Sequence, residues 1–134
     1  MMQNFKWTAL VWVALGGSLG ATSRYLLGVF LQHSFPHYPW GTLSVNLLGS
    51  FCAGLLLGYT LFTSSPTTAF SLFVMTGFLG SFTTFSAFGY EVYALWFDAR
   101  RGLALLHVFA NLGGSLLAVG IGLSCVWLLR YLAR

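Results

Sequence analysis

His107, Asn111 and Ser115 stand four residues apart in a run otherwise built of Leu, Val, Phe, Ala and Gly. On a helix that spacing lines them up along one face. Three polar side chains in a row suit a track for a hydrated or partly hydrated ion, and equally a set of hydrogen bonds between helices. The same two readings apply to Asn46, inside Gly41-Thr42-Leu43-Ser44-Val45-Asn46-Leu47-Leu48-Gly49-Ser50. Its amide offers two donors and an acceptor. In apolar surroundings it either ties helices together or faces a polar path.

A further cluster is Gly77-Phe78-Leu79-Gly80-Ser81-Phe82-Thr83-Thr84-Phe85-Ser86-Ala87-Phe88. Two glycines and a Ser/Thr group in the middle of an apolar segment predict a break in a helix. Freed carbonyls and amides must find partners inside a membrane, and such carbonyls are good ligands for a hard monovalent cation. The competing reading is a kinked helix whose Thr hydroxyls bond back to their own turn. Phe85 and Phe88 share a helix face just past the suspected break. Ring edges are electropositive, so the pair suits a desolvated anion; it also fits ordinary packing.

Two acids complete the inventory. Glu91 is a proton or cation site, or an interfacial group near the mouth of a path. Asp98, beside Arg100 and Arg101, reads as a solvated loop residue. His33 and His37 are four apart, but Pro36 between them argues against a helix, and both read as interfacial. Haem ligation by His107 would require a second His on a facing helix. Cys52 and Cys125 read as small core residues. No nucleophile–base constellation or metal-ligand set appears, so an enzyme is not indicated.

The elements that position these residues follow from composition. Of 134 residues, 57% are hydrophobic and only 6% charged, against roughly 25% charged in a soluble domain; mean hydropathy is +0.81. From Tyr25 to Tyr90 there is no Asp, Glu, Lys or Arg. No soluble fold covers that much apolar surface. A spanning helix takes about 20 residues, so the length allows four helices with short links: one transmembrane domain over residues 1–134. Prolines 36, 39 and 66 punctuate the apolar runs, and the helices are expected at roughly 7–31, 41–62, 69–97, interrupted near 80–84, and 103–129. The third, at about 29 residues and about 43 Å, exceeds what a bilayer core requires. The start of the chain, with Lys6 before an apolar stretch, resembles a signal peptide, but the stretch is too long for a cleaved one and is read as a retained first helix. The five Trp lie in the outer parts of these segments, as in an aromatic belt.

Four crossings put both termini on one side. Lys6, Arg130 and Arg134 belong there; Arg24, Arg100 and Arg101 belong to the other. The balance gives no orientation by the positive-inside rule and suits a chain that inserts both ways up. There is no basic cluster, so nucleic acid is not indicated as a partner. Small residues recur every fourth position: Gly16 and Gly20, then Ser50, Gly54 and Gly58, then Ala110, Gly114, Ala118 and Gly122. Such stripes allow close helix approach where lipid gives no hydrophobic push.

Gly16-Gly17-Ser18-Leu19-Gly20-Ala21-Thr22-Ser23-Arg24-Tyr25, the Gly41–Ser50 string and the Gly77–Phe88 string resemble, in order and spacing, the three signature blocks of the Fluc/CrcB fluoride channels. The resemblance covers essentially the whole chain. It implies an all-α membrane protein with four transmembrane helices per subunit and a break in the third, assembled as an antiparallel dual-topology homodimer with two fluoride pores and a central structural sodium ion. By position it implies that Phe85 and Phe88 form the aromatic box and that Asn46 donates to fluoride. The carbonyls of Gly80 and Thr83 from both subunits would hold sodium. Ser86, His107, Asn111 and Ser115 belong to the pore, Arg24 to a vestibule, and Glu91 to a pore mouth or gate. It further implies a passive channel in a prokaryotic plasma membrane, the inner membrane in a Gram-negative cell, that lowers cytoplasmic fluoride.

Three departures stand out. Ser81 replaces a Gly, and Ala87 replaces the Thr between the two box phenylalanines. His107 stands where relatives often carry Tyr, which would make conduction pH-sensitive if it titrates near neutrality. Two rival classes remain. A small multidrug transporter needs an acid in helix 1, and there is none. A non-transporting membrane anchor subunit of a haem complex would show a haem spectrum.

Overall fold

The computed structural model describes residues 7–62 and 67–133, so Lys6, Pro66 and Arg134 lie outside the described residues. The described chain is helical throughout. Helix α1 is Trp7–Ser34 and α2 is Trp40–Phe62. The third crossing is segmented: α3 Thr68–Ser71, a π-helical stretch Leu72–Leu79, α4 Gly80–Phe82, and α5 Phe85–Phe97. The last helix is α6, Arg101–Leu132.

Three of these runs are long and apolar enough to cross a membrane: Trp40–Phe62, Thr68–Phe97 and Arg101–Leu132. With 28 residues, about 42 Å, α1 has the length too. Ser18, Thr22, Ser23, Arg24 and Gln32 make it the least apolar of the four. The observed helices run a little longer than the expected ones, because the turns are short. Residues 35–39 join α1 to α2, and Asp98–Arg100 join α5 to α6. In the second turn Ala99 takes a positive φ of 56°, and the Arg100 N–H reaches back to the Leu95 carbonyl at 2.9 Å.

Glycine sets the helix seams. A Cβ on Gly54 would run into the carbonyl of Val119, and one on Gly122 into that of Phe51, so α2 and α6 lie backbone against backbone in parallel register. Gly16 and Gly20 bring α1 equally close to the carbonyls of Phe73 and Phe78. At Gly77 a Cβ would stand 2.8 Å from the Val13 carbonyl. Without a hydrophobic drive between helices, this close approach supplies the dispersion contacts that hold them.

Cations sit at the two ends. Arg100 donates to the His37 carbonyl in the 35–39 link. Arg130 donates to the Phe62 carbonyl at the other end and lies 5.7 Å from that ring. Arg101 covers the Trp96 ring at 5.3 Å. Cys52 and Cys125 are both free thiols.

Candidate functional site

The break in the third crossing falls on two residues. Thr83 and Thr84 have extended backbones (φ −82°, ψ 160° and φ −152°, ψ 119°). Thr84 is also the N-cap of α5: its hydroxyl accepts from the Ala87 N–H at 3.2 Å, the role for which Thr is favoured there. Both sequence readings of this segment hold together, since Thr83 does bond back, its hydroxyl donating to the Leu79 carbonyl at 2.9 Å.

Asn46 secures the break from α2. Its Oδ1 accepts from the Thr84 N–H at 2.8 Å, and its Nδ2 donates to the Thr84 carbonyl at 3.1 Å and to Asn111 Oδ1 at 2.9 Å. This has a consequence for two carbonyls. In a continuous helix, Gly80 O would accept from Thr84 N, and Thr83 O from Ala87 N. Here Thr84 N goes to Asn46 and Ala87 N to the Thr84 hydroxyl. Gly80 and Thr83 therefore carry carbonyls released from their i+4 bonds, in the middle of a membrane-length segment.

Beside the break opens a cavity of about 350 Å³. Asn46, Phe85, Phe88, Asn111 and Ser115 all line it, as do Thr83 and Thr84. Helices α2, α5 and α6 thus bring together five of the residues singled out for an ion path. The two rings are set edge to face, centroids 5.3 Å apart at 64°. They differ in depth: Phe88 is buried at 6% exposure, whereas Phe85 is 74% exposed on the flank. No side chain with a formal charge lines this cavity; its polar groups are amides, hydroxyls and ring edges.

The other expected residues are distributed differently. Ser86 is exposed and does not line the cavity; its Oγ lies 3.3 Å from the Thr84 hydroxyl. His107 is fully buried behind the cavity. Its Nε2 is 3.1 Å from Glu91 Oε2, and its Nδ1 is 3.0 Å from the Tyr38 hydroxyl. The second Glu91 oxygen accepts from the Thr42 hydroxyl at 2.6 Å. Asn111 links back by donating to the His107 carbonyl at 3.1 Å. Glu91 and Tyr38 line a separate cavity of about 350 Å³ with Gln32, His37, Asp98 and Arg100, next to the 35–39 link. Arg24 lines a third one, about 420 Å³, on the other side of Thr42 and Thr84.

A hydrogen-bonded line therefore runs from the Glu91–Tyr38 cavity through His107, Asn111 and Asn46 to the backbone of the break. Sequence reasoning had not marked Tyr38, Thr42 or Thr84 individually. Thr84 carries an N-cap signal, a Thr directly before the first residue of α5. Tyr38 carries only the hint of an aromatic fixed between Pro36 and Pro39. Burial and the Glu91 carboxylate push the Tyr38 phenol above its ordinary value, so it stays protonated and keeps its hydrogen to donate.

Residues 11–123 match the family model described as CrcB-like protein, Camphor Resistance (CrcB). The chain belongs to the CrcB family. Its relatives cover nearly its whole length. One from Agrobacterium fabrum, named "Fluoride-specific ion channel FluC", is 41% identical over 113 residues, 84% of this chain and 90% of the relative. One of the same name from Chromohalobacter salexigens is 38% identical over 128 residues, 94% and 96% of the two chains. One from Methanosarcina barkeri, "Fluoride-specific ion channel FluC 3", is 38% identical over 110 residues, 82% and 83%. With its apolar helices, this CrcB-family chain is a multi-pass membrane protein of an ion-channel family, not an enzyme.

Proposed function

We propose that this chain is a fluoride channel of the CrcB family. The observation that carries the reading is the cavity beside the Thr83–Thr84 break, where neutral donors and two phenylalanines face each other with no fixed charge. A small anion leaving water must recover hydrogen bonds, because an unpaired charge in an apolar medium is costly. The Ser115 hydroxyl, the edges of Phe85 and Phe88, and amide hydrogens of Asn46 and Asn111 that exchange their present bonds to Thr84, Asn111 and His107 for the ion are partial positive ends that replace water without trapping the ion. The polar line onward through His107 suits a route rather than a single dead-end pocket. The names of the relatives point to the same ion.

The finer reading has α1 as a fourth crossing and two copies assembled antiparallel, each pore completed at the subunit boundary. The exposed flank of Phe85 suits that arrangement. A sodium ion at the centre of such a dimer would be held by the carbonyls of Gly80 and Thr83, whose helical donors are engaged elsewhere. It would supply a fixed positive charge and cross-link the two breaks. Arg24 would act from its neighbouring cavity as a vestibule cation, and Ser86 would serve the pore through the Thr84 hydroxyl. In a prokaryotic plasma membrane the channel lets accumulated fluoride leave the cytoplasm down its gradient.

The test is anion efflux from proteoliposomes. Purified protein is expected to release fluoride far faster than empty vesicles and to leave a chloride load largely in place. Vesicles as fluoride-tight as empty ones would refute the proposal.

A further inference from the structure

The loop-side cavity and the cavity at the break do not merge; the fully buried His107 ring stands between them. Two residues of the loop-side cavity bond that ring, Glu91 at Nε2 and Tyr38 at Nδ1. The Tyr38 hydroxyl is 3.0 Å from Nδ1, and the two rings meet edge to face at 5.2 Å and 84°. Trp40 holds the Tyr38 ring from behind, 4.9 Å away. Pro36 and Pro39 restrict the link that carries it.

The hydrogen-bond roles around His107 follow from its neighbours. The Thr42 hydroxyl occupies one Glu91 oxygen as a donor, and the other oxygen accepts from Nε2–H. A neutral imidazole with its hydrogen on Nε2 has a lone pair on Nδ1. The Tyr38 O–H fills that lone pair. We infer that Tyr38 is a positioning residue of the anion route: its hydroxyl donates to Nδ1 and so holds in place, between the two cavities, the His107 ring whose Nε2–H tautomer the acceptor Glu91 selects. The inference rests on the fluoride-channel reading above. Removing the hydroxyl leaves Nδ1 with only the long Asn111 Nδ2 contact at 3.3 Å and frees the imidazole to turn toward Asn111, which disturbs the Asn111 bond to the His107 carbonyl and the line onward to Asn46.

The test uses full-length protein in proteoliposomes with a fluoride electrode, comparing the parent with Tyr38→Phe, His107→Gln and the double variant. Tyr38→Phe keeps the ring contacts with Trp40 and His107 and removes one oxygen. It is expected to slow fluoride efflux tenfold or more. The double variant is expected to be no slower than His107→Gln alone, since a hydroxyl acting through His107 has nothing left to act on. Nitrogen NMR of histidine-labelled parent protein, with His107 assigned by its loss in His107→Gln, is expected to show a protonated Nε2 and a bare Nδ1. Efflux by Tyr38→Phe within twofold of the parent overturns the inference, as does additive slowing in the double variant. So does a hydrogen on Nδ1 in the neutral parent ring, whatever the variants do. A parent that releases no fluoride overturns the channel reading itself, and this inference with it.

Discussion

Asn46 brackets Thr84 with its side-chain amide: Oδ1 accepts from the Thr84 N–H at 2.8 Å while Nδ2 donates to the Thr84 carbonyl at 3.1 Å. One residue on α2 thus replaces the partner that the Thr84 N–H loses at the break, and adds a second donor to the Thr84 carbonyl, which as N-cap already opens the bonding of α5. The pairing answers the demand that every backbone polar group at membrane depth be satisfied. It also fixes the wall of the cavity that Phe85 and Phe88 share.

Replacing Asn46 by Leu removes the partners of the Thr84 N–H and of Asn111 Oδ1. Leaving such groups unpaired costs about 1–3 kcal/mol each where water cannot reach, so a loss of about 2–6 kcal/mol is expected. Thermal unfolding in detergent measures it. Asn46→Asp keeps the acceptor for the Thr84 N–H but sets a carboxyl oxygen against the Thr84 carbonyl and Asn111 Oδ1, and its loss of stability is expected to be at least as large. Both variants are expected to slow fluoride efflux tenfold or more, because both lose the amide donor.

The two phenylalanines separate pore from core. Phe88 is buried, and Phe88→Ile is expected to lower stability by about 1–2 kcal/mol. Phe85 is mostly exposed within the chain, and Phe85→Ile is expected to melt close to the parent. Fluoride efflux from proteoliposomes is expected to fall at least tenfold in both. Near-normal flux in both would contradict the assigned pore.

The α2–α6 seam makes a paired prediction. A methyl at Gly54 meets the Val119 backbone, which cannot move without parting the helices. Gly54→Ala is expected to cost about 1–3 kcal/mol. At Gly114 the added methyl would stand 2.7 Å from Leu47 Cδ2, the free end of a flexible side chain. Gly114→Ala is expected to stay within about 1 kcal/mol of the parent in the same melting experiment.

Tyr38 links stability to alkaline pH. Burial, and next the Glu91 carboxylate, raise its phenol above the ordinary 10.0. The folded state therefore holds this proton more tightly than the unfolded one. Its contribution is fully present below about pH 10 and is lost as pH rises through the raised value. The melting-temperature advantage of the parent over Tyr38→Phe is expected to shrink from pH 8 to pH 11. An advantage that grows over that range would show the sign to be wrong.

The helical class, the membrane setting and the place of the break follow from local features of the chain. Apolar runs of membrane length need only composition to be read. Gly and Thr around residues 80–84 weaken one helix locally, and the four-residue spacing of His107, Asn111 and Ser115 places them on one face before any partner is known. What faced that line was not local. The register of α2 against α6, set by Gly54, Gly114 and Gly122, brings Asn46 to Asn111 and to Thr84. A shift of one turn would pair different residues from the same sequence. Ser86 and Phe85 turned outward because α5 restarts at an angle fixed by the two extended threonines. Arg24 and Glu91 fell into separate cavities, the first between α1, α2 and the start of α5, the second between the 35–39 link and the end of α5. Tyr38 sits in a link with no periodicity to announce it. Its place against His107 was decided only when the ends of α1, α2 and α6 came together, since a hydrogen bond between residues 69 apart in sequence has no local signature.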